Sequence, residues 1–201
     1  MKLIGMLDSP YVRRVAISAK CLGIDLEHES VSVFRHFEQF QQINPVVKAP
    51  SLILDDGVVL MDSTLILDYL ETSSGKSLLP SDLKQRAHAL RLIGLSLAAC
   101  EKAVQLYYER NLRPADIQYQ PWVERVEGQL AAAFTVLEKE LEHNDLPVDG
   151  SLAQTGISLA VAWSFTNLVV PDQIDATRFP RIAEYTAYAE GTDAFISTPM
   201  N

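Results

Sequence analysis

The hydrophobic period of this chain changes between residues 73 and 82, and that change constrains the fold more than any other feature. Before it, short apolar and β-branched runs alternate with segments of helical spacing; after it, every apolar pattern is helical. The stretch itself, Ser73-Ser74-Gly75 through Pro80-Ser81-Asp82, is polar and carries Gly and Pro, the composition of a linker. A chain patterned this way is neither one bundle nor one sheet. It implies a small α/β domain over residues 1–75, a linker at 76–82 and an all-helical domain over 83–201.

In the first region residues 2–7 form a short apolar run, a candidate buried strand. Ser9 then suits a helix N-cap, and Pro10 suits the first helical position, where no amide donor is needed. Val12, Val15, Ala16, Ala19 and Leu22 follow at helical spacing up to Gly23, a stop signal. Arg13 and Arg14 on this helix read as a solvated face. Residues 26–33 read as a strand, and Phe34, Phe37 and Phe40 as a short irregular helix. Residues 51–54 and 58–61 flank Asp55-Asp56-Gly57 and make a β-hairpin. Asp62-Ser63 opens a further helix through Leu65, Ile66, Tyr69 and Leu70. This order of elements gives a mixed sheet.

In the second region Leu90, Ile93, Leu97, Cys100 and Val104 mark one face of a long helix. Val123, Val126, Leu130, Ala133, Leu137 and Leu141 mark another. Ile157, Ala160, Val161, Ser164 and Leu168 belong to a helix apolar on nearly all sides, which is the pattern of a central, buried helix. Pro180 starts a last short helix.

The 201 residues carry 17 basic and 26 acidic side chains, a formal charge of −9. The acidity is spread along the chain, with no basic patch to track a phosphate backbone, which argues against nucleic acid as a partner. The same charge opposes anionic membrane surfaces. No apolar run reaches the roughly 20 residues of a membrane span. Leu3-Ile4-Gly5-Met6-Leu7 is too short for a signal-peptide core and stops at Asp8. His28, His36, His88 and His143 are dispersed without zinc spacing, so no metal is expected. Cys21 and Cys100 sit in apolar helical patterns and read as buried free thiols, which fits a cytoplasmic location.

Three segments carry a resemblance. Ser9-Pro10-Tyr11-Val12-Arg13-Arg14, Asn44-Pro45-Val46-Val47-Lys48-Ala49-Pro50 and Asp62-Ser63-Thr64-Leu65-Ile66-Leu67-Asp68-Tyr69-Leu70 resemble, in order and spacing, motifs of the cytosolic glutathione S-transferase family, in its bacterial, serine-type, theta/zeta-like form. The resemblance covers most of the chain, the C-terminal half mainly by pattern. It implies a thioredoxin-like, glutathione-binding first domain, a helical second domain, a homodimer and a role in detoxification. Three positions depart from the family pattern. Val47 replaces a glycine in the loop over the peptide. Ala49 replaces a valine, where the expected contact is through backbone. In the helical domain the family's Ser/Thr-x-x-Asp capping motif is altered: Ser151 and Gln154 form a capping box in one register, and Gly156 stands in place of the acid in the other.

Glutathione is a thiol with a pKa of about 8.5–9, so little of it is thiolate at neutral pH. By the resemblance, Ser9 donates its hydroxyl to the sulfur, at a helix start whose free amides carry a partial positive charge; the plainer role for Ser9 is a helix cap. Pro50, cis by the resemblance, turns the Ala49 backbone outward so that the cysteinyl part of glutathione pairs with it as an added strand. Lys48 meets the glycyl carboxylate, or is a solvated lysine. Asp62 pairs with the γ-glutamyl ammonium while Ser63 and the helix amides hold its carboxylate, or both residues only cap the helix. The second substrate is expected to be a small apolar electrophile, held between the domains by Tyr11, Tyr107, Tyr108 and Trp163 unless these pack in the core. Ser9-Pro10-Tyr11-Val12 lacks both cysteines of a Cys-x-x-Cys motif, which excludes dithiol redox chemistry. Two functions remain. One is an enzyme: glutathione conjugation, or the related peroxide reduction or thiol transfer. The other is a non-catalytic binding module on the same fold, such as a stringent-starvation-type partner of RNA polymerase.

Overall fold

A computed structural model describes residues 1–200. It divides into two compact units, one of Met1–Leu78 together with the chain from Gly191 onward, the other of Leu79–Glu190.

The first unit is built on β1 (Lys2–Ile4), α1 (Pro10–Leu22), β2 (Glu27–Glu29), α2 (Phe37–Ile43), β3 (Ser51–Ile53), β4 (Val59–Met61) and α3 (Ser63–Ser74). Its sheet has the order β2-β1-β3-β4. β1 runs parallel to β2, with Leu3 opposite His28, and antiparallel to β3, with Leu3 opposite Leu52. Side chains alternate across a strand. Leu3 and Leu52 therefore pack with Val12, Val15, Ile66 and Leu70 under α1 and α3, while Ile4 packs with Val31 and Phe40 on the other face, under α2. β2 is shorter than the 26–33 run suggests. It is an edge strand whose one neighbour is the three-residue β1, so its ladder ends where β1 does. α1 stops at Gly23, whose φ of 77° is left-handed and costs glycine little.

The second unit contains α4 (Leu83–Asn111), α5 (Gln120–His143), α6 (Gln154–Val169) and α7 (Pro180–Glu190), with one 3-10 turn between α4 and α5 and two between α6 and α7. α4 packs on α5 and α6, and α6 also packs on α7. α6 is buried nearly all round, as its pattern predicts, and the six apolar positions of α5 all face the core. α4 differs. Its buried side is Ala89, Leu92, Ile93, Ser96, Ala99, Cys100, Ala103 and Leu106, and Leu90 is 50% exposed. Four of those residues are Ala or Ser, small enough for close helix approach but weak as a hydrophobic signal.

The start of α6 also departs from expectation. Its N-cap is Ala153, without a side-chain cap bond. Ser151 Oγ donates instead to Asp149 at 2.6 Å, so the Ser151–Gln154 box does not form. Gly156 is required by space: a Cβ there would collide with the Tyr185 hydroxyl of α7. The start of α7 is capped from a neighbouring helix. Buried Glu138 of α5 accepts from the amides of Arg181 (2.8 Å) and Ile182 (3.0 Å).

The chain from Gly191 onward, expected with the helical region, groups with the first unit, where α8 (Asp193–Ile196) packs on α1. Arg13 makes this tie. Its Nε donates to the Thr198 carbonyl at 2.9 Å, and its guanidinium lies 5.1 Å from the Phe195 ring centroid. Arg13 and Arg14 are each 2% exposed, so neither forms the solvated face that their charge suggests. Among the described residues no helix is long and apolar enough to cross a membrane, and no three His, Cys, Asp or Glu side chains gather as a metal site. Both cysteines are free thiols; Cys100 is buried and Cys21 partly so, and burial pushes the Cys21 thiol pKa up.

Candidate functional site

Ser9 stands at the N-cap of α1 with extended backbone, yet its side chain makes no cap bond. Its hydroxyl has no hydrogen-bond partner among the described residues. Pro10 at the first helical position and the bond from the Arg13 amide to the Ser9 carbonyl (2.9 Å) hold the helix start without it. Asp8, just before, is partly buried. Burial raises its carboxyl pKa, and the Ser9 amide and the nearby Arg35 charge draw it part of the way back.

The loop leading to Ser9 packs directly on the segment around Ala49. A Cβ on Gly5 (φ 137°) would come 2.6 Å from Val12 Cγ2 and 3.1 Å from Ala49 Cβ, so this approach needs glycine. Residues 44–51 are held by buried Asn44. Its Nδ2 donates to Ser51 Oγ at 2.9 Å, and Ser51 Oγ in turn donates to the Lys48 carbonyl at 2.9 Å. The Asn44 side-chain oxygen accepts from the Val46 amide at 3.0 Å. Val47 follows in the left-handed region, φ 53°, which costs a β-branched residue about 1–2 kcal/mol. Its side chain packs on the Ile4–Val31–Phe40 cluster, which offsets part of that cost. The Ala49–Pro50 bond is cis. The Ala49 amide and carbonyl bond to nothing among the described residues.

Asp62 is the N-cap of α3. It also has a positive φ, 71°, and its Oδ1 accepts from the Thr64 amide at 2.9 Å. Its Oδ2 lies 3.6 Å from Lys48 Nζ, and both side chains are about half exposed. Ser63 is buried at the first helical position, and its Oγ accepts from Arg14 Nη1 at 3.0 Å. The fold thus brings three segments together: the turn before α1, the 44–51 loop and the start of α3. Lys48, expected at the glycyl end of a tripeptide, reaches Asp62 here. Arg14 is a residue that sequence reasoning misses. Its signal was the pair of arginines set between the core residues Val12 and Val15.

The residues expected to hold an electrophile divide. Tyr11 is partly buried on α1 of the first unit. Tyr107 and Tyr108 lie on α4 of the second, ring centroids 6.3 Å apart and edge-on. Tyr108 is 42% exposed, and its hydroxyl pKa is raised by partial burial and then by Tyr107. Trp163 is spent elsewhere: it is 6% exposed and packs 5.2 Å from Phe134 and 5.8 Å from Phe179 in the helical core.

A thioredoxin-like domain followed by an all-helical one, with an unspent serine at the first helix start, defines the class of the chain. Residues 3–77 match the profile described as "Glutathione S-transferase, N-terminal domain". The chain is 27% identical to the uncharacterized GST-like protein YibF of Escherichia coli K12, over 85% of each chain. It is 26% identical to glutathione S-transferase D6 of Drosophila melanogaster, over 94% of this chain and 87% of the relative. A crystal structure of a glutathione transferase family member from Pseudomonas fluorescens, with bound glutathione, superimposes with a TM-score of 0.87 at 27% identity, over 100% of this chain and 98% of that one. Its first domain thus matches the glutathione S-transferase N-terminal model, and the chain is similar to glutathione S-transferases over most of its length.

Proposed function

We propose that the protein is a glutathione transferase: it binds glutathione, raises the fraction of thiolate and presents it to a small apolar electrophile. The observation that carries this reading is the Ser9 hydroxyl, which sits at a helix N-terminus and is not used to cap it. A donor there stabilises the thiolate over the thiol, because a hydrogen bond to an anion is stronger than one to its neutral form. The first-turn amides of α1 add a positive field at the same place. The open amide and carbonyl of Ala49 suit the cysteinyl backbone of an extended peptide, paired as in an added strand. The α3 start, with Ser63, suits the γ-glutamyl carboxylate, and Asp62 its ammonium. Lys48 reaches the glycyl carboxylate by leaving Asp62, at small cost, since exposed ion pairs contribute about 0–1 kcal/mol. Glutathione bound to the Pseudomonas fluorescens relative supports glutathione as the ligand. Tyr11 of the first unit, and separately Tyr107 and Tyr108 of the second, stay available to contact an electrophile; Trp163, packed in the helical core, does not.

A cytoplasmic homodimer completes the proposal. Val59, Met61, Leu65 and Tyr69 of the first unit and Leu83 and Leu90 of the second are all 37–80% exposed. Exposed apolar side chains are the raw material of an interface, and a two-fold dimer covers the same surfaces on both copies. The non-catalytic alternative has no use for an uncommitted serine hydroxyl at the α1 start. Retention on immobilised glutathione and titration calorimetry test the binding step, and product formation with an activated aryl halide tests the transfer. Binding with turnover is the expected result. Binding without turnover leaves the non-catalytic module, and no binding overturns both the ligand and the reaction.

A further inference from the structure

We propose that Arg14 is a positioning residue for recognition of the γ-glutamyl carboxylate, acting through the Ser63 hydroxyl; this rests on the glutathione-binding reading above. Arg14 is 2% and Ser63 4% exposed, and Arg14 Nη1 donates to Ser63 Oγ at 3.0 Å and to Thr64 Oγ1 at 3.2 Å. A serine hydroxyl has one proton and two lone pairs. The guanidinium donates only, so it fills a lone pair of Ser63 and leaves the hydroxyl proton to point elsewhere. Ser63 makes no other side-chain hydrogen bond among the described residues, so that proton has no acceptor among them. A nine-tenths buried hydroxyl with an uncommitted proton is costly to leave unmet, and a carboxylate at the α3 start meets it.

The donated charge does more than orient. An O–H whose oxygen accepts from a cation is polarised into a stronger donor. The same charge lies behind the first turn of α3 and adds to the positive end of its dipole. Because α1 begins at its N-cap Ser9 and carries Arg14, and α1 packs on α3, one helix and its cap serve both ends of the ligand. Ser9 addresses the sulfur, and Arg14 sets the hydroxyl that addresses the remote carboxylate. Arg14 touches no reacting atom. Its effect therefore belongs in binding rather than in the chemical step.

The test uses the full chain with two probes: glutathione, and its analogue lacking the γ-glutamyl α-carboxylate (γ-aminobutyryl-cysteinyl-glycine). Parent, Arg14→Met, Arg14→Lys, Ser63→Ala and the Arg14→Met/Ser63→Ala double variant are titrated, and melting without ligand is followed in parallel. The parent is expected to prefer glutathione. Arg14→Met is expected to lose about tenfold of that preference, as one charge-assisted contact gives, with kcat at saturating glutathione little changed. Ser63→Ala is expected to lose a similar factor, and the double variant no more than either single one. Arg14→Lys, which keeps the charge and a single donor, is expected to recover part of the preference. If Arg14→Met does not fold, Arg14→Lys decides: full parental preference with lowered melting makes Arg14 a packing residue only. Undiminished preference in Arg14→Met, or losses that multiply in the double variant, also overturn the proposal. A parent that binds neither probe overturns the glutathione reading itself, and a parent that binds both equally removes the carboxylate site while leaving glutathione binding in place.

Discussion

The starts of α1 and α3 look alike in sequence and are used differently. Each opens on a short polar residue well suited to cap a helix, Ser9 before Pro10 and Asp62 before Ser63. At α3 the cap is real: Asp62 Oδ1 holds the Thr64 amide at 2.9 Å. At α1 it is not, and the Ser9 hydroxyl stays open while Pro10 starts the helix. The backbones differ in the same sense. Ser9 sits at a relaxed φ of −69°, whereas Asp62 is held at 71°. One helix start leaves its side chain out of the cap; the other spends it on the cap, and the Ser63 hydroxyl next to it accepts from Arg14. A residue type suited to a cap thus does not reveal whether the cap is made.

The largest expected effect breaks the comparison on the side of α1. Ser9→Ala is expected to lower kcat about ten- to hundredfold, the loss of one charge-assisted donor to a developing anion. Melting without ligand is expected to change little, because no cap bond is lost. A fall in stability comparable to the loss of an N-cap would return Ser9 to a structural role. Asp62→Ala is expected to behave in the opposite way. It should destabilise the unliganded protein by about 0.5–2 kcal/mol, measured by denaturant unfolding. It should also raise the glutathione Kd while leaving kcat at saturation near the parent's. Unchanged stability there would mean that the Thr64 amide finds another acceptor.

Much of this architecture was legible. The hairpin, the central α6 and the stop at Gly23 each rest on patterns that local physics enforces. What stayed hidden depended on neighbours distant in the chain. The buried stripe of α4 runs through Ala89, Ser96, Ala99 and Ala103, whose burial follows from close helix approach rather than from hydrophobicity. Arg13 and Arg14 read as solvated because a charge usually is; their partners, Thr198 and Ser63, lie 185 and 49 residues away. Trp163 has the chemistry of a ligand wall and the position of a core residue, and only Phe134 and Phe179 around it decide which. For Ser9, Ala49, Asp62 and Ser63, sequence gave the candidates and geometry showed which polar groups remain uncommitted.

Two smaller effects sharpen the contrast at the loops beside these helix starts. Val47→Gly removes a left-handed β-branched residue but also its packing on Ile4 and Phe40. The relief and the losses are each about 1–2 kcal/mol, so a net change within about 1 kcal/mol is expected in denaturant unfolding. A loss well beyond that would show that the Val47 side chain, not its backbone, governs the loop. Asp8→Asn is the smallest. Burial raises the Asp8 pKa above its ordinary 3.8, so its ionised form is disfavoured in the fold. Its penalty is absent below 3.8 and grows as pH rises through the elevated folded value. The variant is therefore expected to melt slightly higher than the parent at pH 7, with the difference gone below 3.8. A variant that melts lower at pH 7 would make the Asp8 charge stabilising.

The most direct measurement is the ionisation of the bound thiol, followed by thiolate absorbance as glutathione-saturated protein is titrated with pH. In the parent the bound thiol is expected to ionise well below free glutathione. In Ser9→Ala it is expected to move back up by about 1–2 pH units, the equivalent of one charge-assisted hydrogen bond. A bound thiol that titrates like free glutathione in the parent, or identically in parent and variant, would contradict the assignment of Ser9 as the residue that activates the sulfur.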